Sequence, residues 1–402
     1  MLVLMSANPM HQVHLYWSSY SLFFVKEIAA VMTHKRFQQI TNNLHLNDNT
    51  QMPKKGSKEY DRCFKVRPLI KMMNEKFGNE YTPSSRLAVD ESMILFKGRS
   101  SMKQYMPMKP KIKRGYKVWR IADSSTRYLC KFKIYQGKNQ ERPNNRTLGE
   151  HVVLSLSEGI VTPGNQLFFD NFFSSTTLLQ QLRDKGILAC GTYRTNRKDL
   201  PAEVKVNNKL DRGEYLWRRK KNVTAYQWRD TKHVHIMSNY HDSCEDVQVD
   251  RTTSKGHKKP VKCPAAVRDY NLWMGGVDRF DQKRNAYPLD RRSKRSWSRI
   301  FYFILDAAFV NAYIQHGYRK SITYLFFRVM LGRQLISGRS FRKGRRSLVY
   351  HKRGSKNCSI MTGVPEDVRF NGHGHYPCTT TTRKRCRGAR RRRRKNAQSL
   401  YV

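Results

Sequence analysis

Residues 87–94 read Leu87-Ala88-Val89-Asp90-Glu91-Ser92-Met93-Ile94, an apolar run that predicts a central β-strand. Two carboxylates interrupt it. The chain has 78 Lys plus Arg against 30 Asp plus Glu, so an acid placed inside such a strand needs a reason, because burying an unpaired charge costs several kcal/mol. Strands are expected next at Tyr116 to Ala122 and Tyr128 to Tyr135, joined by the turn-forming Asp123-Ser124-Ser125-Thr126. A helix around Glu150 to Glu158 and a strand at Gln166 to Phe169 follow. After them come a helix capped by Ser174 or Ser175 and stopped by Gly186, and a strand from Ile187 to Tyr193. This order of elements predicts a mixed α/β sheet.

The flanks have a different texture. Thr33 is a plausible N-cap for Phe37, Ile40 and Leu44 at helical spacing, and Val66, Ile70, Met73 and Phe77 repeat the pattern before Gly78. Between about Arg194 and Lys262 the chain turns polar and strand-rich, with Tyr215 to Arg219 and Tyr226 to Arg229 around the turn-like Lys220 to Asn222, and reads as an insertion. Helical periodicity returns from Ala265 to about Ala286 and from Trp297 to His316. The expected division is therefore a helical segment 1–84, a core in two pieces at 85–195 and 263–286, an insertion at 196–262, a second helical segment at 287–335 and a basic tail at 336–402.

The 402 residues allow two or three domains, and a hydrophobic fraction of 39% argues against a mainly disordered chain. A net charge of +48 calls for a polyanionic partner, most simply nucleic acid. The longest apolar candidate for a membrane span, Phe301 to Val310, is short and carries Asp306, so no membrane association is expected. Eight cysteines lie scattered without a C-x-x-C pair and are expected to be reduced, in a cytosolic or nuclear setting.

Four aspartates, at three places in the chain, stand out. Asp90 lies in the first strand, Asp170 follows Leu167-Phe168-Phe169 at the carboxyl end of another, and Asp278 and Asp281 are three apart on a helix, hence on one face. Such carboxylates can converge to hold Mg²⁺, with Mn²⁺ as an alternative, for two-metal phosphoryl transfer. Spacing alone leaves equally open that each is an N-cap, turn or salt-bridged aspartate.

The residues around these positions resemble the piggyBac family of DDE transposases and its domesticated derivatives. The matching blocks are Val89-Asp90-Glu91-Ser92-Met93 with Phe96-Lys97-Gly98-Arg99, Gln104-Tyr105-Met106-Pro107, and Arg114-Gly115-Tyr116-Lys117-Val118-Trp119. Further on come Phe169-Asp170-Asn171-Phe172-Phe173-Ser174-Ser175, Met274-Gly275-Gly276-Val277-Asp278-Arg279-Phe280-Asp281-Gln282, and Leu305-Asp306 with Asn311-Ala312-Tyr313. The resemblance implies an RNase H-like catalytic core with a β-rich insertion, flanked by a mainly helical dimerization and DNA-binding domain. It also implies that Asp90, Asp170 and Asp278, accompanied by Asp281, are the catalytic and metal-holding carboxylates. The implied chemistry is nicking at element ends, hairpin formation by the freed 3′-OH, hairpin opening and joining at TTAA sites, performed by a homodimer. Leu95 stands where the family usually has proline.

Charge and resemblance together nominate DNA contacts at Lys97, Arg99, Trp217, Arg218, Arg219, Lys220, Arg291 and Arg292. Tyr215, Tyr226 and Trp228 could add stacking surfaces beside Trp217, the alternative being a solvated hairpin with an aromatic inner face. His233 and His235 read as ordinary sheet residues. Cys358, His373, His375, Cys378 and Cys386 read as a truncated remnant of the family's Cys-rich zinc domain that is not expected to bind zinc. The arginine-rich terminus predicts nuclear localisation. Two functions stay in competition: a metal-dependent transposase, and a domesticated or truncated, catalytically silent, sequence-specific DNA-binding protein.

Overall fold

The computed structural model describes residues 1–336 except 108, 110–111, 138–145, 198, 253–255, 292, 294 and 318–321, all within one unit spanning Met1–Lys343. The tail residues proposed as a zinc remnant and the terminal arginines lie outside the described residues, as does Arg292. Four helices come first: α1 (Leu2–Ala7), α2 (Lys26–Val31), α3 (His34–Asn42) and α4 (Arg67–Asn79). Thr33 caps α3 by accepting the Arg36 N–H at 3.2 Å, as its sequence predicts. The apolar stripe of α3 is only partly covered, and Ile40 remains 44% exposed.

The sheet strands of the first half are β1 (Arg86–Leu95), β2 (Gln104–Tyr105), β3 (Arg114–Asp123) and β4 (Leu129–Ile134). Then come α5 (Leu148–Ser157), β5 (Gln166–Phe169), α6 (Thr176–Asp184) and β6 (Leu188–Thr192). The β3–β4 turn works because the buried Asp123 accepts the Ser125 and Thr126 N–H groups on Oδ1 and the Ser84 N–H on Oδ2. A capping box of Thr147 and Glu150 starts α5, and Ser175 caps α6 through the Leu178 N–H.

The stretch expected as an insertion supplies β7 (Tyr215–Lys220), β8 (Val223–Arg229), β9 (His233–Ser238), β10 (Asp246–Thr252) and β11 (Lys258–Pro264). Its first three strands continue the main sheet, in the order β2-β3-β1-β5-β6-β9-β8-β7 with β4 also on β3, while β10 and β11 pair with each other. Strands β1, β5 and β6 run parallel and β3 antiparallel to β1. Central parallel strands are covered on both faces, which is why Leu87, Ala88 and Val89 are all fully buried.

The helix expected over Ala265 to Ala286 is two: α7 (Ala265–Trp273) and α8 (Gly276–Ala286). Adjacent Gly275 and Gly276 are poor helix formers, and Gly276 is needed for close approach to the sheet. A Cβ there would lie 3.1 Å from Ser124 Cα and 3.3 Å from Ala88 Cβ. The break lets α7 pack on β9, β10 and β11 while α8 lies on β1 and β3.

Helices α9 (Ser296–Gly317) and α10 (Tyr324–Ile336) complete the described chain. Two asparagines dock helices onto β4 by mimicking a strand. Asn311 of α9 accepts the Leu129 N–H and donates to its carbonyl, each at 2.9 Å. Asn74 of α4 does the same at Phe132. Between them Phe132 meets Phe303 edge-on, with centroids 5.6 Å apart, so the flanking helices share the sheet's core.

Candidate active site

The strand register builds the site. Val89 is level with Phe169, and Phe169 with Gly191, so the next residue of each segment, Asp90 on β1, Asp170 just past the end of β5 and Thr192 on β6, is brought to the same end of the sheet. Level residues of neighbouring strands share a face and lie about 4.8 Å apart. The Thr192 hydroxyl approaches Asp170 Oδ1 at 3.4 Å. The same row continues to Arg120, which is opposite Asp90 on β3. Helix α8 covers this face through Gly276, and Asp278 is exposed in its first turn.

Electrostatics link Asp90 to Asp278. Burial, then the neighbouring Glu91 carboxylate and Asp278, push Asp90 up to about 7, against the pull of Lys109. Glu91 is buried, with Oε1 3.2 Å from Lys109 Nζ and Oε2 without a hydrogen-bond partner among the described residues. Burial opposes the charge on Lys109, but Glu91, Asp90 and Asp278 outweigh it and hold its pKa above the usual value. Lys117 lies 3.9 Å over the Trp119 ring and 4.6 Å over Phe172. Its pKa is lowered by burial, while Glu91, Asp90 and Asp170 oppose the change. Partly buried carboxylates crowded in this way favour a cation.

The donor set is hard oxygen, which fits Mg²⁺ or Mn²⁺. Among the described residues, however, no three His, Cys, Asp or Glu side chains are gathered closely enough to form a coordinating group. Asp281, expected to accompany the other carboxylates at the metal, is engaged elsewhere. Arg120 Nη1 donates to its Oδ1 at 3.0 Å, Arg120 Nη2 donates to its Oδ2, and Arg284 Nε donates to Oδ1 at 3.1 Å. Burial works to raise the Asp281 pKa, but the two guanidiniums outweigh it and hold it below the ordinary carboxylate range.

The loop after Asp170 is braced from several sides. The Asp170 carbonyl accepts the Phe173 N–H at 3.0 Å and the Ser174 hydroxyl at 3.2 Å. Ser175 donates to Glu150, and Arg197 Nη2 donates to the Asn171 and Phe172 carbonyls at 3.0 and 2.9 Å. Arg194 Nε donates to Asn171 Oδ1 at 2.9 Å. From the sequence, Lys109 and Lys117 stand near or within the matching blocks without an assigned role, and Arg194, Arg197 and Arg120 carry no signal that was used. Arg120 was open to the same test as Asp90, since it too is a charge inside an apolar strand.

Of the nominated DNA contacts, Lys97, Arg99, Arg218, Arg219 and Lys220 are exposed and Trp217 is half-buried. Tyr226 and Trp228 are fully buried, so they belong to the aromatic inner face and offer no stacking surface. Arg291 turns inward, with Nη2 3.4 Å from the Tyr16 hydroxyl. Its partner in that contact is fully buried. His233 and His235 lie along β9, with His235 against Gln227. The described cysteines are free, and among the described residues no helix is long and apolar enough to cross a membrane.

Residues 1–313 match a family model described as Transposase IS4. The human PiggyBac transposable element-derived protein 3 is 33% identical over 315 residues, covering 75% of this chain and 51% of that protein. The human PiggyBac transposable element-derived protein 2 is 31% identical over 305 residues, covering 72% of this chain and 49% of that protein. The chain thus spans about half the length of these curated relatives. A cryo-EM structure of a piggyBac transposase synaptic complex with hairpin DNA matches with a TM-score of 0.72 at 24% identity, covering 84% of this chain and 69% of that one. That likeness establishes the fold, a mixed α/β sheet with an RNase H-like core.

Proposed function

The chain belongs to the piggyBac family of DDE transposases, and on that premise we propose that it cleaves and joins DNA by cut-and-paste transposition at TTAA sites. The observation that carries this reading is that Asp90 and Asp170 each follow directly on the paired residues Val89 and Phe169 of two parallel strands, with Asp278 acting on Asp90 from α8. These three carboxylates would hold the divalent cations, Mg²⁺ or Mn²⁺. Bound there, the ions would supply an activated attacking oxygen and neutralise charge on the phosphoryl group.

The protein's own groups have separable tasks. Arg194 and Arg197 hold the loop that presents Asp170. Exposed Lys97, Arg99, Arg218, Arg219 and Lys220 neutralise the DNA backbone, so binding falls steeply with salt. The working form would be a nuclear homodimer on DNA ends. A catalytically silent DNA-binding derivative is the competing reading, since the exposed basic residues that would hold DNA do not depend on the carboxylates.

A hairpin-ended duplex carrying TTAA at its tip, given Mg²⁺ or Mn²⁺, separates the two. Opening by the parent, lost in Asp90→Asn and Asp170→Asn, is the expected result. Salt-sensitive binding by all three without any opening would replace the enzyme with the binder.

A further inference from the structure

Helix α8 carries Asp278 to the site, and its position is set at two points. At its start Gly276 meets Ala88 and Ser124. One turn beyond Asp278, Asp281 lies between two guanidiniums, with side-chain exposures of 0% for Arg120, 20% for Asp281 and 8% for Arg284. The Arg120 guanidinium packs over Phe280 of the same helix at 5.3 Å, and Arg284 packs over Phe303 of α9 at 5.4 Å. Strand β3, α8 and α9 therefore meet at one half-buried carboxylate.

We propose that Asp281 is a positioning residue: held between Arg120 and Arg284, it docks α8 on the sheet and fixes where Asp278 stands, and it does not itself hold a metal. A carboxylate has about four lone-pair sites, and three guanidinium N–H bonds occupy Asp281. Turning it toward a cation would strip a fully buried Arg120 of its counter-charge, a strongly unfavourable change. The Arg120 Nε already lacks a hydrogen-bond partner among the described residues, so no other group stands ready to compensate. The inference rests on the reading of Asp278 as a cation-holding carboxylate only for what is being positioned.

The test combines a double-mutant cycle with Mn²⁺ binding, on the full chain in complex with the hairpin-ended duplex. Arg120→Met, Asp281→Asn and the pair are unfolded by heat without metal. Mn²⁺ affinity is read from the paramagnetic signal of the free ion, with Asp278→Asn as control. Asp281→Asn is expected to lower the unfolding midpoint by roughly 5–10 °C, and the double variant to lose less than the sum of the singles. Its Mn²⁺ affinity should stay within about threefold of the parent, while Asp278→Asn loses tenfold or more, the size of effect expected at a metal site.

An additive cycle overturns the clamp. So does an Asp281→Asn protein that is as stable as the parent and binds Mn²⁺ as poorly as Asp278→Asn, the signature of a ligand. Should Asp281→Asn fail to fold, recovery of folding in the double variant supports the clamp and its absence counts against it. If Asp278→Asn binds Mn²⁺ like the parent, the cation-site reading fails, and the cycle still decides the clamp.

Discussion

Arg120 is the cross-strand partner of Asp90, yet its guanidinium passes Asp90 by and grips Asp281 on α8. A fully buried cation on the adjacent strand is thereby committed to Asp281 and not to Asp90. Asp90 is left with burial, Glu91 and Asp278 pushing its pKa up to about 7. A carboxylate kept in that state binds a divalent cation more readily than one already neutralised by arginine.

Gly276→Val places methyl groups where even a Cβ would lie 3.1 Å from Ser124 Cα and 3.3 Å from Ala88 Cβ. Overpacking of this kind costs about 1–3 kcal/mol, and it lifts Asp278 away from Asp90. Urea unfolding should show the loss, and hairpin opening should fall further than DNA binding does. Unchanged stability would mean that α8 does not lie this close to β1.

Asn311→Ala removes both side-chain bonds to Leu129 and leaves a buried backbone N–H and carbonyl without them. Each such group costs about 1–3 kcal/mol, so a total loss of roughly 2–6 kcal/mol is expected. Faster exchange of the Leu129 amide hydrogen should accompany it. Protection at Leu129 equal to the parent's would show that α9 docks on β4 by packing alone.

Asp306 is raised from 3.8 to about 7, first by burial, with Asp290 adding and Arg284, the Leu289 N–H and Arg328 subtracting. A carboxyl whose folded pKa is raised gives its full contribution below the unfolded pKa and loses it as pH rises through the folded one. Stability should therefore decline between about pH 4 and pH 7, by on the order of 2–4 kcal/mol from this group. Asp306→Asn keeps an acceptor for Leu289 and removes the slope, so the variant gains on the parent at pH 8 and not at pH 4. Parallel stability curves for the two proteins would refute this.

Trp217 is half-buried at the edge of the sheet, and Arg218 beside it is exposed and pairs with the exposed Glu203 at 3.2 Å. Ion pairs of that kind hold little energy, so Arg218 is free to exchange Glu203 for phosphate. Arg218→Ala should reduce the slope of log affinity against log salt by about one. Trp217→Ala should weaken binding about equally at every salt concentration, and neither change should unfold the protein. Parent-like titrations for both would remove β7 from the DNA-binding surface.

Much of this was legible along the chain. The apolar runs around Val89 and Phe168 marked strands, Thr33 and the Ser174-Ser175 pair marked helix starts, Ser175 being the cap that forms, and Asp90, Asp170 and Asp278 stood out as acids in a basic chain. Those signals are local, because propensity, capping and the cost of burying charge act within a few residues. The break at Gly275 was missed because a glycine pair in a periodic stretch does not say whether a sheet waits beneath it. Whether Trp228 and Tyr226 form a stacking surface or an aromatic inner face stayed open, because composition cannot tell which face of a strand is covered; they are the inner face.

The sequence by itself determined the strands, the caps, the basic surplus and which carboxylates were anomalous. Only the tertiary structure decided what those charges do. Arg120 and Asp281 are 161 positions apart, and Asn311 meets Leu129 across 182. Whether an aspartate faces a cation site or an arginine depends on strand register and on how closely one helix can approach, and both are settled by packing between segments distant in the chain. Moving a strand by one residue would have turned Asp90 to the opposite face without changing a letter of its surroundings.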